Sequence, residues 1–284
     1  MKKIKIITDT ASDITLEKAK EKGIHLIPIN ININGTSYKD RYEIDCEQFN
    51  NMLPKCKEIP KTSQITVSEH YDEFKKFSDD HSIIYCCISS ESSGTCQSAN
   101  MAKQMIIEEN PDADINILDC HTFSYCYGYW MIKAADMVSE GATVQDIITM
   151  FDNNCKNTQA IFVVDDLTYL EKGGRIKPST KIIGNLLDIK PILTIEDGLI
   201  NSIDKVRGSK KVNKKLLEIM LNNISDDINQ DILIFHVGCP ERANQLKDLL
   251  TENTQYKNTV IVEVGPTISV HAGPGTLGYG YLKK

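Results

Sequence analysis

The first half of the chain alternates short apolar runs with stretches in which apolar residues recur every three or four positions. Apolar runs predict buried strands, and the second spacing predicts amphipathic helices. Strands that alternate with helices pair in parallel, with helices packed on both faces of the sheet. The pattern therefore predicts a doubly wound, mostly parallel sheet. Its strands are predicted at 3–8, 83–88 and 115–118. The helices are predicted at 15–22, at 45–53, after Ser68, at 96–108 and at two places beyond 118, the second begun by Thr143.

An alternation of isoleucine with other residues marks the segment from Ile27 to Ile33. Asn34-Gly35 follows it, and this dipeptide is typical of the tight turn in a β-hairpin. We therefore predict a small antiparallel excursion beside the main sheet. The residues between the helix at 45–53 and Ser63 are predicted to form a loop.

The second half mixes apolar runs with fewer helical stretches. Asp197-Gly198 separates two of the runs and predicts another hairpin. The order indicates a C-terminal α+β domain with a mixed sheet, built from segments at 160–164, 167–172, 190–195, 199–203, 231–237 and 259–264 and from helices at 210–221 and after Pro240. We predict an N-terminal domain over 1–155, a C-terminal domain over 156–284, and a ligand in the crevice between them.

Composition narrows the possible functions. The 284 residues are 41% hydrophobic and carry a formal net charge of -7, which argues against a nucleic-acid partner because such partners need a concentrated basic surface. No apolar run approaches the roughly 20 residues of a membrane span, and no signal peptide is recognisable, so we expect a cytoplasmic protein. The nine cysteines lack C-x-x-C spacing, which predicts reduced thiols and no metal site.

Two hydroxyl-rich stretches supply candidate ligand contacts. One contains Thr62, and the other contains Ser93 in a predicted turn between a strand and a helix. A helix start offers free N–H groups and a partial positive charge, which suit a carboxylate or a phosphate. Ser93 would add a hydroxyl donor to the same anion, or it merely caps the helix. His271 begins a glycine-rich segment and is a candidate donor beside a carboxylate.

Several kinds of catalytic site find little support. The glycines at 273–278 match G-x-G-x-x-G, but the helix and the acidic residue of a dinucleotide site do not follow, so we interpret them as a tight turn. A serine hydrolase assembled from Ser93, His271 and Asp9 stays open, because triads are defined by geometry. Two basic segments, at 171–177 and 205–211, suit a phosphate or a partner's carboxylate, or are solvated surface.

As a set, these residues resemble the DegV family of bacterial fatty-acid-binding proteins, and the similarity covers essentially the whole chain. Each motif is short, but their joint occurrence in this order is specific. The matching segments are Asp9-Thr10-Ala11-Ser12-Asp13, Thr62-Ser63-Gln64, Ser92-Ser93-Gly94-Thr95, residues 170–176, residues 190–193, Asp197-Gly198, Arg207 and His271-Ala272-Gly273-Pro274-Gly275.

The resemblance implies a carrier without catalytic activity of its own and with no cofactor besides a bound long-chain fatty acid. It implies that Thr62 and Ser93 hydrogen-bond the carboxylate with His271 nearby, and it places Gly94 and Thr95 in the same ligand site. It further implies that a separate ATP-dependent fatty-acid kinase phosphorylates the bound carboxylate for phospholipid synthesis. Two arginines would dock this partner: Arg175 and Arg207.

Neutral donors would leave the carboxylate without a fixed cation, and we infer that this keeps it free for phosphoryl transfer. The chain also departs from the family pattern. Cys96 replaces an aromatic residue, Ile65 replaces proline, and Cys126 replaces glycine within an aromatic segment at 123–130. These changes leave the preferred acyl chain open. The alternatives are an esterase or thioesterase that uses Ser93 and His271, and a pure protein-interaction module.

Overall fold

The computed structural model describes residues 2–176, 189–256 and 258–284. Short 3-10 turns lie at Thr10–Ser12, Leu53–Lys55 and Ser209–Lys211. The longer elements follow one another in the order β1 (Lys3–Asp9), α1 (Leu16–Lys22), β2 (His25–Ile27), β3 (Asn30–Ile33), β4 (Thr36–Lys39), α2 (Cys46–Met52), β5 (Lys61–Ser63), α3 (Val67–Lys75), β6 (His81–Cys87), α4 (Thr95–Glu109), β7 (Asp114–Asp119), α5 (Tyr125–Ser139), α6 (Val144–Asn154), β8 (Thr158–Val163), α7 (Thr168–Gly173), β9 (Ile189–Glu196), β10 (Leu199–Arg207), α8 (Val212–Asn223), β11 (Ile232–His236), α9 (Pro240–Asn253), β12 (Thr259–Glu263), α10 (Pro266–Ala272) and β13 (Leu277–Leu282).

The first half contains the predicted parallel sheet. Its strands lie in the order β2-β1-β6-β7, and every neighbouring pair is parallel. Strand β6 is buried at every position after His81, which explains why it appears in the sequence as an unbroken apolar run. Gly23 ends α1 in a left-handed conformation, and a capping box between Thr143 and Asp146 begins α6. The predicted doubly wound architecture of this half is confirmed.

A small antiparallel sheet lies beside it, with strand order β4-β3-β5. Asn34 and Gly35 both have positive φ angles and form the turn between β3 and β4, as predicted. The prediction of a loop up to Ser63 is wrong, because β5 pairs with β3 and sets Thr62 opposite Ile31. Three residues are too few to show a strand alternation, and the pairing with β3 is what makes this segment extended.

The second half forms a six-stranded mixed sheet in the order β10-β9-β8-β13-β11-β12. The prediction of a mixed sheet is confirmed, but the interpretation of Gly278 as part of a terminal turn is wrong. Gly278 lies in β13, which pairs with β8 on one side and β11 on the other. Glycines alternate with Tyr279 and Tyr281 along this strand, and such glycines weaken the sequence signal of a strand.

The two faces of the mixed sheet have different partners. Tyr279 and Tyr281 belong to a core that α8 and α9 cover. On the opposite face, Phe162 and Phe235 share a core with Cys126 of α5. A Cβ atom added at Gly280 would lie 2.7 Å from Cys126 Sγ, so the glycine allows α5 to rest on the sheet. A helix of the first half thus packs directly on the second sheet.

The division into domains 1–155 and 156–284 stays a prediction. All strands of the parallel sheet precede residue 155, and all strands of the mixed sheet follow it. Helix α10, although it belongs to the second half of the sequence, contacts α2, β3 and β5 of the first half.

A buried polar network fixes the start of α10. The guanidinium of Arg41 lies 3.0 Å from the Asp13 carboxylate, and both side chains are almost wholly buried. The backbone N–H of Gly265 donates to the same carboxylate at 2.7 Å. The hydroxyl of Thr267 donates to Asp40 at 2.5 Å. Because buried charges need partners, these contacts hold α10 against the first half.

We expect Gly280→Ala to lower the free energy of unfolding by about 1–3 kcal/mol, because its methyl group would overlap Cys126 Sγ. Urea denaturation of the single and double variants measures this effect. Adding Cys126→Ala should recover part of the loss, because the sulfur atom is then absent. Effects that simply add in the double variant would show that the two residues do not interact.

Candidate functional site

A cavity of about 460 Å³ lies between the two halves of the protein. The turn after β6 and strand β5 form its wall on one side, and β8, β11 and α10 form its wall on the other. Its apolar lining includes Phe123, Phe162, Leu170, Ile195, Ile200 and Phe235. An apolar cavity of this size with a few polar groups is typical of a small-molecule site.

Two polar side chains of the wall, one from each half of the chain, contact each other. Thr62 Oγ1, on β5, lies 2.8 Å from His271 Nε2, on α10. The imidazole Nδ1 is buried and has no hydrogen-bond partner within the described residues. Gly173 leaves it no room, since a Cβ there would lie 2.5 Å from Nδ1. Burial, followed by the nearby charge of Arg175, lowers the pKa of His271 to about 3, so the imidazole is neutral.

Ser93 also lies on the cavity wall, just before α4. Its Oγ lies 2.8 Å from Thr95 Oγ1 and accepts the Thr95 N–H at 3.3 Å. Ser93 therefore satisfies one N–H of the helix start and still faces the cavity. Thr95, predicted as a ligand contact, does not reach the wall; it is fully buried and supports the Ser93 hydroxyl.

Gly94 is the N-cap of α4, and because it has no side chain it makes no side-chain capping bond. Within the described part of the chain, its N–H and those of Cys96 and Gln97 have no hydrogen-bond acceptor. Gln64 packs over Gly94 so closely that an added Cβ would lie 2.0 Å from Gln64 Oε1. Gln64 lines the cavity, yet sequence reasoning gave it no role. Its position two residues after Thr62, directly beyond β5, was the available signal.

The turn between β9 and β10 reaches across the cavity boundary to the other half. Ser92 Oγ donates to the carbonyl of Gly198 at 3.3 Å. Gly198 has a φ of 76°, and a Cβ there would lie 2.0 Å from Ser89 Oγ. This close approach requires glycine, and it brings the β9–β10 hairpin onto the turn that carries Ser93.

The two predicted docking arginines occupy different environments. Arg175 is half-buried on the cavity wall, where it donates to the Gly173 carbonyl and where burial lowers its pKa. Arg207 is exposed at the end of β10 and is not part of the wall. Lys177, in the same basic segment as Arg175, lies outside the described residues. Glu91 also lines the cavity, so its wall carries a charged side chain beside the neutral donors.

The structure does not assemble the hydrolase triad. Asp9 is fully buried and accepts hydrogen bonds from Tyr127 at 2.6 Å and from the Ile88 N–H at 3.1 Å. Burial raises its pKa to about 6 despite these bonds. Within the described residues no carboxylate hydrogen-bonds His271, whose Nε2 contacts Thr62 instead of Ser93.

The aromatic segment at 123–130 contributes two residues to the cavity wall. Phe123 and Ser124 are its members on the wall. Tyr129 donates to Asp231 at 2.6 Å and Trp130 to Thr158 at 2.7 Å, so both bind elements of the second half away from the cavity. The Ser124 hydroxyl donates to Asp13, which links the cavity wall to the network at the start of α10.

Comparison with known proteins supplies the family. The DegV family of uncharacterised proteins matches residues 3–284. A DegV domain-containing protein of Caldanaerobacter subterraneus is 35% identical over 286 residues, covering 100% of both chains.

Solved structures have the same fold. A DegV family protein of Streptococcus agalactiae, described as fatty acid binding, is 30% identical with a TM-score of 0.87, over 99% of this chain and 98% of that one. One from Thermus thermophilus is 24% identical with a TM-score of 0.90, over 99% and 100%, and shows the fold alone. No helix within residues 2–176, 189–256 and 258–284 has the length and apolar character to cross a membrane.

The family match over residues 3–284 and the relative with 35% identity together show that the chain belongs to the DegV family.

Proposed function

We propose that this protein is a carrier that holds a long-chain fatty acid in the cavity, with the carboxylate at the Thr62–His271 pair and Ser93. The observation that carries this proposal is an apolar cavity whose wall contains neutral hydrogen-bond donors from both halves of the chain. The fatty acid binding described for the Streptococcus agalactiae relative supports the same ligand class.

The acyl chain would supply most of the affinity. Removing a methylene from water contributes about 0.8 kcal/mol, so a sixteen-carbon chain gains on the order of 10 kcal/mol before the costs of binding. Phe162, Leu170 and Phe235 offer it an apolar wall. The carboxylate would lose several kcal/mol of hydration unless donors replace the water, and the hydroxyls and the free N–H groups at the start of α4 fill that role.

The histidine determines which way the hydroxyl of Thr62 points. Nδ1 has no acceptor within the described residues, so a proton there would be a buried, unpaired donor. The favoured tautomer therefore carries its proton on Nε2 and donates it to Thr62 Oγ1, 2.8 Å away. The Thr62 hydroxyl is then free to donate its own proton to a ligand oxygen. His271 would thus act as a positioning residue for Thr62 without bringing a charge.

We further propose that the loaded protein is presented to a separate ATP-dependent kinase that phosphorylates the carboxylate. The chain has no G-x-x-x-x-G-K-[ST] loop with which to bind ATP phosphates itself. Arg207 is exposed and makes no ion pair within the described residues, which suits a docking contact. Arg175 lies on the cavity wall, where a guanidinium would meet phosphate oxygens during transfer.

The esterase alternative has weaker support. Ser93 Oγ pairs with Thr95, and the neutral His271 pairs with Thr62, so the serine lacks the base that would activate it. Covalent labelling of Ser93 by a fluorophosphonate, together with turnover of acyl esters, would favour the enzyme over the carrier.

The carrier proposal predicts that native mass spectrometry of the purified protein shows a copurifying fatty acid. Protein stripped of lipid should bind added palmitate or oleate in a titration followed by calorimetry. An empty protein that also fails to bind both acids would contradict the proposal.

Ser93→Ala should weaken binding by about 1–3 kcal/mol, because a buried carboxylate loses a donor. Ser68→Ala is a matched control, since Ser68 is exposed on α3 and is absent from the cavity wall. Equal fatty acid affinity of the two variants would show that Ser93 only caps the helix.

His271 should remain neutral well below the pH at which a free histidine protonates. Its folded pKa of about 3 lies below the unfolded value of about 6.5, so its contribution to stability is complete above pH 6.5 and is lost progressively as the pH falls toward 3. NMR of the imidazole nitrogens, with His271→Gln to assign the signal and N-acetylhistidine amide as reference, measures this. A signal that titrates near pH 6.5 would refute the buried neutral state.

Arg207→Ala should leave palmitate binding unchanged and reduce acyl-phosphate formation when the kinase is added. Lys20→Ala removes a positive charge from an exposed position on α1 and serves as the control. Loss of loading in the Arg207 variant would contradict this division of roles, and so would equal acyl-phosphate formation by both variants.

A further inference from the structure

The segments that carry Thr62 and Ser93 come from separate elements, and a buried serine joins them. Ser98 lies near the start of α4 and is 3% exposed. Its hydroxyl donates to the carbonyl oxygen of Ile65 at 2.6 Å. Its backbone N–H donates to the carbonyl of Gly94 at 3.0 Å. One residue thus contacts both the segment that follows β5 and the turn that begins α4.

The carbonyl of Ile65 depends on this hydroxyl. Ile65 is 1% exposed, and within the described residues no backbone N–H donates to its oxygen. The Thr95 carbonyl also lies 3.0 Å from Ser98 Oγ, but it belongs to α4, where the N–H four residues later is its ordinary donor. A buried carbonyl without a donor is costly, so the proton of the Ser98 hydroxyl is directed to Ile65.

A histidine contacts the same serine from a third element. His70 Nδ1, on α3, lies 3.2 Å from Ser98 Oγ, and its Nε2 lies 3.0 Å from the Tyr85 hydroxyl. The His70 side chain is fully buried, and burial lowers its pKa to about 4, so the ring is neutral and carries one proton. The nitrogen that holds this proton decides in which direction the hydrogen bonds run.

A proton on Nδ1 satisfies every group in this series of contacts. Nδ1 then donates to Ser98 Oγ, the Ser98 hydroxyl donates to Ile65, and the Tyr85 hydroxyl donates to Nε2. With the proton on Nε2, the serine could serve either Nδ1 or the Ile65 carbonyl, because a hydroxyl has one proton to donate. Asp9 competes weakly for Tyr85, since the two lie 3.5 Å apart and Asp9 already accepts from Tyr127 at 2.6 Å.

We propose that Ser98 is a positioning residue for the fatty acid carboxylate, because its hydroxyl holds segment 62–65 against the turn that carries Ser93. Thr62 and Ser93 belong to different elements, and one carboxylate can meet both hydroxyls only if these elements keep a fixed separation. Ser98 is not among the described residues that line the cavity, so it acts through the other two. This role rests on the proposed function, since it concerns the donors to the carboxylate.

A second contact fixes the same two segments. An added Cβ at Gly94 would lie 2.0 Å from Gln64 Oε1, so Gln64 already rests on the helix start. Ile65 follows Gln64 in sequence, and Ser98 lies one helical turn after Gly94. The packing contact and the hydrogen bond therefore hold the segments together at two points, and removing the hydrogen bond leaves only the packing of an exposed side chain.

Ser98→Ala should weaken palmitate binding about tenfold in a calorimetric titration, because the two donors then lose their fixed separation. Ser78→Ala is the matched control. Ser78 is also fully buried, its hydroxyl has no hydrogen-bond partner within the described residues, and it is absent from the described cavity wall. Equal palmitate affinity of the two variants would overturn the proposal.

A general loosening of the fold would also weaken binding, and a second background separates the two cases. In Thr62→Val the hydroxyl that Ser98 positions is already absent, so adding Ser98→Ala should weaken palmitate binding by less than about threefold. An equal loss in the wild-type and Thr62→Val backgrounds would show that the serine acts only on stability, which contradicts a positioning role.

The state of His70 is tested on the wild type without a ligand. NMR of the nitrogen-labelled protein, with the ring assigned through the backbone resonances of its own residue, should show the proton on Nδ1, the opposite of His271. A proton on Nε2 would overturn the proposal even if Ser98→Ala fails to fold. A wild type that binds no palmitate would refute the carrier function alone, and palmitate binding that Ser98→Ala leaves unchanged would refute the positioning role alone.

Discussion

The buried carboxylate of Asp13 is the contact on which the placement of the cavity depends. It pairs with Arg41, accepts the backbone N–H of Gly265 before α10, and accepts the hydroxyl of Ser124 before α5. Removing one partner would leave a buried charge uncompensated, which typically costs several kcal/mol. The two helices that connect the halves are therefore set by one group, and the cavity wall that they carry is set with them. The relative placement of the halves and the shape of the cavity therefore depend on the same buried carboxylate.

The polar part of the site depends on residues far apart in the chain. Thr62 and His271 are separated by 209 positions and meet because β5 joins the small sheet and α10 packs on it. The orphaned Nδ1 is a small cost that fixes the tautomer, and the hydroxyl of Thr62 gains a defined direction. The direction of this hydroxyl thus comes from packing as much as from residue type.

Local patterns predicted the parallel sheet, the Asn34-Gly35 hairpin and the mixed sheet, because each depends on periodicity or on turn residues close together in sequence. Strand β13 escaped prediction because glycines replace the inward side chains that make a strand recognisable. The motifs grouped Thr62, Ser93 and His271, and all three line the cavity. They could not show that Thr95 stands behind Ser93 or that Arg175 reaches the cavity wall, since both facts depend on the packing of separate segments.

Strand β13 lies in the middle of the mixed sheet although it is the last strand in sequence order. Its neighbours β8 and β11 do not pair with each other, and each one pairs with β13 instead. During synthesis they can be joined only after residues 277–282 have been added to the chain. The parallel sheet of the first half can form earlier, because all its strands precede residue 120. A nascent chain can therefore fold one half while the cavity is still open. Occupation of the cavity by a ligand would then be postponed until translation has passed this strand.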